Sequence, residues 1–183
     1  MKMPTDKKSK SKVWTMPLVL AGIFGFLGLA QAGLAQYDPM TLLKKQQIES
    51  MKNITTISCG LADYFADHGN MPTQNGTYEA ADNFYKDISP FYLKELPLKD
   101  SWGGKFLVYC GQACNGKYGL KDCDQYDFLV VSLGRDGKKD DWEYDYSNAQ
   151  GGLYKLLGPA DFDGDLIMWN GTWIRAPLPD KEK

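Results

Sequence analysis

Tyr126 to Asp136 reads YDFLVVSLGRD, and the rest of the chain is organised around it. Phe128 to Val131 supply an aromatic and branched apolar run, the profile of a strand with at least one buried face. Ser132-Leu133-Gly134 breaks that strand, and Asp136-Gly137 adds a second turn signal. Beyond it the chain turns acidic, with Asp140, Asp141, Glu143 and Asp145, then Asp161, Asp163 and Asp165. One hydrophobic strand thus ends in a loop crowded with oxygen donors. On charge alone such a loop is a solvated acidic face.

Length and composition bound the fold. At 183 residues, 43% hydrophobic and 13% aromatic, the chain can bury one substantial core. Its net charge of −2 conceals an asymmetry, because residues 1–35 hold five lysines against one acid (+4), leaving −6 for the remainder. An acidic domain of this kind is unsuited to nucleic acid, whose phosphates need a basic surface.

The basic start is followed by the only long apolar run, Val13 to Leu29, and then by Ala30-Gln31-Ala32 and Gly33-Leu34-Ala35. That pattern predicts an export signal with two small-x-small cleavage candidates over residues 1–35. Val13 to Ala35 spans 23 residues, so an uncleaved membrane helix meets the length requirement equally well. Both alternatives place residues 36–183 outside the cytoplasm, in the periplasm or the extracellular space. Cys59, Cys110, Cys114 and Cys123 suit that compartment, and an even count predicts disulfides with three possible connectivities. Cys114 and Cys123 share one polar loop and are the expected pair, leaving Cys59 for Cys110. A four-thiolate zinc site is the rival, but no CxxC pair is present.

Asp38-Pro39 is a helix start, with Asp as N-cap and Pro in the first turn. Leu43, Met51, Ile54, Ile57, Ser58, Leu61, Tyr64 and Phe65 recur at three- and four-residue steps up to Gly69-Asn70. The spacing predicts one helix over 38–68, about 45 Å long, whose first half projects or docks elsewhere. A short helix is expected over Tyr78–Ile88, with Ala80, Ala81, Phe84 and Tyr85 inward, and a strand over Lys105–Cys110. Asp165–Trp169, Asn170-Gly171 and Thr172–Arg175 form a hairpin whose Asn-Gly suits a type I′ turn. The Pro177/Pro179 tail is expected to be loose, and residues 142–160 show no period. The sum is α+β, a long N-terminal helix packed on a small antiparallel sheet over residues 69–176.

In that order the residues resemble a known family. Tyr92-Leu93-Lys94-Glu95-Leu96-Pro97, then Asp100-Ser101-Trp102-Gly103, then Ser132-Leu133-Gly134-Arg135-Asp136-Gly137 follow the pattern of the major pseudopilin (protein G) of type II secretion systems. The resemblance covers about residues 50–175. It implies a type IV pilin-like head stabilised by calcium. Leu133 and Lys138 would offer carbonyls, and Asp136, Asp163 and Asp165 carboxylates. A hard cation that takes six to eight oxygens suits such a mixture. Asp161 does not open an EF-hand, because Thr172 stands at the twelfth position, where a bidentate Glu belongs. The segment Asp141–Ala160 is longer than the family's loop, which leaves Asp140 and Asp141 as alternative ligands. The family's glycine and phe-thr-leu-x-glu helix start is not found before Val13, and residues 13–35 hold no Glu. The resemblance thus reaches the head and not the polymerisation handle.

No enzyme is expected. His68 is the only histidine, so neither a Ser-His nor a Cys-His arrangement can be built elsewhere, and no glycine-rich phosphate loop follows a strand. The expected role is structural: a pseudopilin-like protein that meets other secretion-system or envelope proteins, or itself through the N-terminal helix. The alternative is a free-standing secreted binding module.

Overall fold

The computed structural model describes residues 38–179, so the expected signal or membrane segment at 1–35 lies outside the described residues. Helix α1 (Pro39–His68) runs for 30 residues. Met40 N donates to Asp38 Oδ1 at 3.2 Å at its start, and Gly69 stops it in the left-handed region at φ 71°. Its inner stripe, Ile54, Ile57 and Leu61, is fully buried. The first half does not project freely. Gln46 Nε2 donates to Ser101 O, Ser50 Oγ accepts from Ser101 N, and Gln47 Nε2 reaches Tyr154 Oη. The long helix is thus held to the head by polar contacts where its apolar stripe thins. Among the described residues no helix is long and apolar enough to cross a membrane.

Six strands form one sheet in the order β1-β2-β3-β5-β6-β4: β1 (Asn75–Gly76), β2 (Leu107–Cys110), β3 (Phe128–Ser132), β4 (Leu153–Tyr154), β5 (Leu166–Trp169) and β6 (Thr172–Pro177). All neighbours are antiparallel except β4, which runs parallel to β6. β3 lies in the middle, and every one of its residues is buried. Phe128 and Val130 face the core beneath α1, with Phe84, Phe106, Leu96 and Met168. Leu129 and Val131 face the other way, into a second apolar cluster with Tyr118, Leu120, Ile167, Trp142 and Tyr144. The α+β expectation holds, but the sheet is covered on both faces rather than one.

Two local expectations are corrected. The short helix α2 covers only Asn83–Ile88, and Ala80 and Ala81 are exposed. Asp82 takes extended backbone and its carboxylate accepts from Glu79 N at 2.8 Å, so a turn occupies the first half of the expected helix. Pro177 is not in a loose tail: it closes β6 and pairs with Tyr154 on β4. Residues 142–160 lack a period because, apart from the two-residue strand β4, they contribute single aromatic side chains such as Trp142 and Tyr144 to the outer cover. The β5–β6 turn is as expected, with Asn170 at φ 48° and Gly171 at φ 77°.

Candidate metal site at the end of the central strand

The motifs that carry the resemblance meet one another in space. Ser132, the last residue of β3, donates its hydroxyl to the buried carboxylate of Asp100 at 2.7 Å. Asp100 also accepts from Trp102 N and Gly104 N, which closes its own turn, and Gly134 N donates to Ser132 Oγ at 3.3 Å. The Asp-Ser-Trp-Gly turn therefore fixes the exit of the strand. A Cβ on Gly104 would lie 2.9 Å from Asp100 Oδ2, so glycine leaves room for that carboxylate.

The chain then lies against the acidic segment. Arg135 N donates to Phe162 O at 2.8 Å, and Phe162, fully buried, pins the 3-10 turn Pro159–Asp163 to the core. Asp161 is spent locally, accepting from Leu157 N and Gly158 N. Asp163 binds Arg135 through both oxygens, Nε at 2.7 Å and Nη2 at 3.0 Å. Asp136, exposed, accepts from Lys138 N at 2.9 Å in a tight turn. The Arg135 guanidinium is held charged chiefly by that Asp163 hydrogen bond and further by the Asp136 charge nearby. One cation thus stands among the carboxylates of the strand-end loop.

Asp165 has turned inward. It is fully buried, accepts from Tyr118 Oη at 2.7 Å and from Asp140 N at 3.1 Å, and returns its own N–H to Asp140 Oδ2 at 3.0 Å. Asp140 is neutralised by Arg175, with Nε at 2.9 Å and Nη2 at 2.5 Å, and the guanidinium lies over the Trp142 and Tyr154 rings. Asp165 Oδ1 has no hydrogen-bond partner. Burial pushes this carboxyl up to about 6, against the lowering effect of the Tyr118 hydrogen bond. An orphaned, buried carboxylate oxygen is costly unless a partner reaches it.

Among the five residues carried over from the resemblance, the fold brings the Leu133–Lys138 loop to Asp163, while Asp165 sits on the buried side with Asp140. Of the two alternative ligands, Asp140 joins Asp165, whereas Asp141 is exposed. Among the described residues no group of three or more Asp, Glu, His or Cys side chains is arranged to hold a metal ion. The residues match calcium in donor type but are not gathered about one point: Asp163 would have to leave Arg135, and Asp165 faces Tyr118 and Asp140. Tyr118 and Arg175, which no motif singled out, do the positioning together with Asp100 of the Asp-Ser-Trp-Gly motif. Their partners lie 32 to 47 residues away in sequence, beyond the reach of any local pattern.

The cysteines divide differently from expectation. All four are free thiols; Cys114 Sγ donates to Tyr109 O at 3.3 Å, and the loop that joins Cys114 to Cys123 is held by Asn115, which both donates to Cys123 O and accepts from Cys123 N. Cys110 is buried in the core beneath α1, while Cys59 is exposed on the helix, off the stripe formed by Ile54, Ile57 and Leu61. Burial raises the thiols of Cys114 and Cys123 and pushes Cys110 up to about 12, so none of these three is an activated nucleophile. In an oxidising compartment, mass spectrometry should find one disulfide, Cys114–Cys123, with Cys59 and Cys110 still alkylatable after unfolding. Closing that loop adds about 2–3 kcal/mol in the chain-entropy model. Four alkylatable thiols in protein from that compartment would refute the pairing.

Comparison with family models, with curated proteins and with solved structures finds no match for the chain.

Proposed function

We propose that this is a non-enzymatic, exported protein with a pseudopilin-like head, a structural and interaction domain related to type II secretion machinery, whose end-of-strand loop is tied to its acidic segment by calcium. The observation that carries this reading is the junction itself. The loop after β3 lies on residues 159–165, and it leaves a buried carboxylate oxygen of Asp165 without a partner. The meeting of Asp100, Ser132 and Gly134 supports the same reading, because it makes one structural unit of two separate stretches of the resemblance. The ion would be held by the Leu133 and Lys138 carbonyls and by Asp136, Asp163 and Asp165. It would supply a charge and a crosslink, with no chemical step attached. Its partners are then other secretion-system or envelope proteins, met through the surface of the head.

Arg135 is the most informative residue for testing this. Its guanidinium and a calcium ion would neutralise overlapping carboxylates, so the two compete. Arg135→Gln should lower stability in chelator, since it removes a two-pronged ion pair with Asp163. In millimolar calcium the loss should vanish, and the variant should bind calcium several-fold more tightly than the parent in titration calorimetry. An Arg135→Gln protein with the same melting temperature in chelator and in calcium would end the calcium reading.

A further inference from the structure

Asn-Gly-Thr occurs twice in the chain, as Asn75-Gly76-Thr77 and as Asn170-Gly171-Thr172. An asparagine followed by glycine carries a latent reaction of its own. The glycine amide nitrogen has no neighbouring Cβ to shield it, so it can attack the carbonyl carbon of the asparagine side chain. A carbon–nitrogen bond forms, the side-chain amide leaves as ammonia, and a cyclic succinimide results. Water then opens the ring at either carbonyl, giving aspartate or the backbone-extended isoaspartate. The net change takes an amide and water to a carboxylic acid and ammonia, and nothing is oxidised or reduced. Since the two tripeptides are identical, a difference in their reactivity reports their settings in the fold.

Those settings are opposite. Asn170 sits at φ 48° in the β5–β6 turn, and both ends of its amide are held. Oδ1 accepts from Phe128 N at 2.8 Å, and Nδ2 donates to Asp127 Oδ1. To turn its carbonyl carbon towards Gly171 N, the side chain would have to give up both bonds and leave Phe128 N unpaired. Asn75 is exposed, and among the described residues its side chain makes no hydrogen bond. It opens β1, a strand of two residues at the edge of the sheet. So short an edge strand opens locally at small cost, which lets the backbone turn and frees Gly76 N to react. We infer that Asn75 is a site of spontaneous modification in the folded protein, converted to isoaspartate and aspartate, while the turn keeps Asn170 intact. The isoaspartate form adds a methylene to the backbone at a point where both neighbours are fixed. Gln74 O accepts from Cys110 N at 3.0 Å on one side, and Gly76 pairs with Val108 on the other. The Gln74 side chain bridges the same link, donating to Gly76 O at 2.9 Å and to Thr77 O at 3.0 Å. A longer link cannot keep all of these in register, so the modification detaches β1 from β2.

The test ages the full chain in mildly alkaline buffer, once folded and once in urea, and follows both sites by peptide mapping. Mass spectrometry reads the exchange of amide for acid, and fragmentation separates isoaspartate from aspartate. In the folded protein, conversion at Asn75 should outpace that at Asn170 about tenfold or more, the scale of two hydrogen bonds that must break. In urea the two sites should convert at similar rates, because the turn and its bonds are gone. Equal rates in the folded protein, or a faster reaction at Asn170, overturn the proposal. So does a preference for Asn75 that persists undiminished in urea, since the flanking residues and not the fold would then set it.

Discussion

Gly134→Ala should cost about 2–4 kcal/mol and abolish any response to calcium. Gly134 sits at φ +66°, and a Cβ there would lie 2.4 Å from Asp163 O and 2.7 Å from Gly164 O. Both are backbone atoms of the acidic segment, so no rotamer can relieve the contact. The left-handed backbone costs a non-glycine residue about 1 kcal/mol, and forced overpacking adds about 1–3 kcal/mol. Gly137 makes the control, because it has the same φ of +66° but nothing within 4 Å of its Cβ position. Gly137→Ala should therefore lose only the backbone share, about 1 kcal/mol. Urea unfolding of the two variants separates close approach from backbone strain. Equal losses would mean that the strand-end loop and the acidic segment are not in contact.

Asp165 should give the chain an unusual dependence on pH. In the absence of metal its folded-state carboxyl titrates at about 6, above the ordinary 3.8, chiefly because it is buried. A folded pKa raised above the unfolded one means that the native state binds the proton more tightly. The resulting stability is complete below the unfolded pKa and is lost as pH rises through 6. The shift corresponds to at most about 3 kcal/mol. In chelator, then, this residue should make the protein more stable near pH 4.5 than at pH 7. Asp165→Asn should remove that component, stabilising the chelated protein at pH 7. Calcium should reverse the sign, since a bound cation keeps the carboxylate ionised. The comparison to make is the urea midpoint of parent and Asp165→Asn at the two pH values. Parallel pH profiles for the two proteins would show that Asp165 is not a buried, unpaired carboxylate.

Where local signals agreed with one another, the fold was legible. Asp38, Pro39 and Gly69 bracket α1, and Asn170-Gly171 sets the β5–β6 turn, because caps and positive-φ turns are decided within a few residues. Phe128–Ser132 read as a strand, but its burial on both faces did not, because the outer cover comes from scattered aromatics at 118, 142 and 144. The start of α2 was misplaced because Asp82 forms a turn that competes with the helix. Pro177 closes β6 at its register with Tyr154, a pairing no local signal announces. At the candidate site the loop and the acids were visible as composition. Their partners were not. Tyr118 for Asp165, Arg175 for Asp140 and Asp100 for Ser132 are contacts made by the fold, and the same is true of Arg135, whose charge could not be assigned to Asp163 from spacing alone.

Melting the parent and Asp136→Ala in chelator and in millimolar calcium tests the calcium junction most directly. Asp136 is exposed and follows the buried strand by a glycine turn, so its loss would remove the proposed ligand without disturbing packing. Binding to the folded state alone adds RT ln(1 + [L]/Kd), about 2.7 kcal/mol at a hundredfold excess of calcium over Kd. The parent should melt several degrees higher in calcium than in chelator, and Asp136→Ala should melt at one temperature in both. A parent chain whose melting temperature is the same in the two solutions would contradict the account and leave the acidic segment a solvated face neutralised by Arg135 and Arg175.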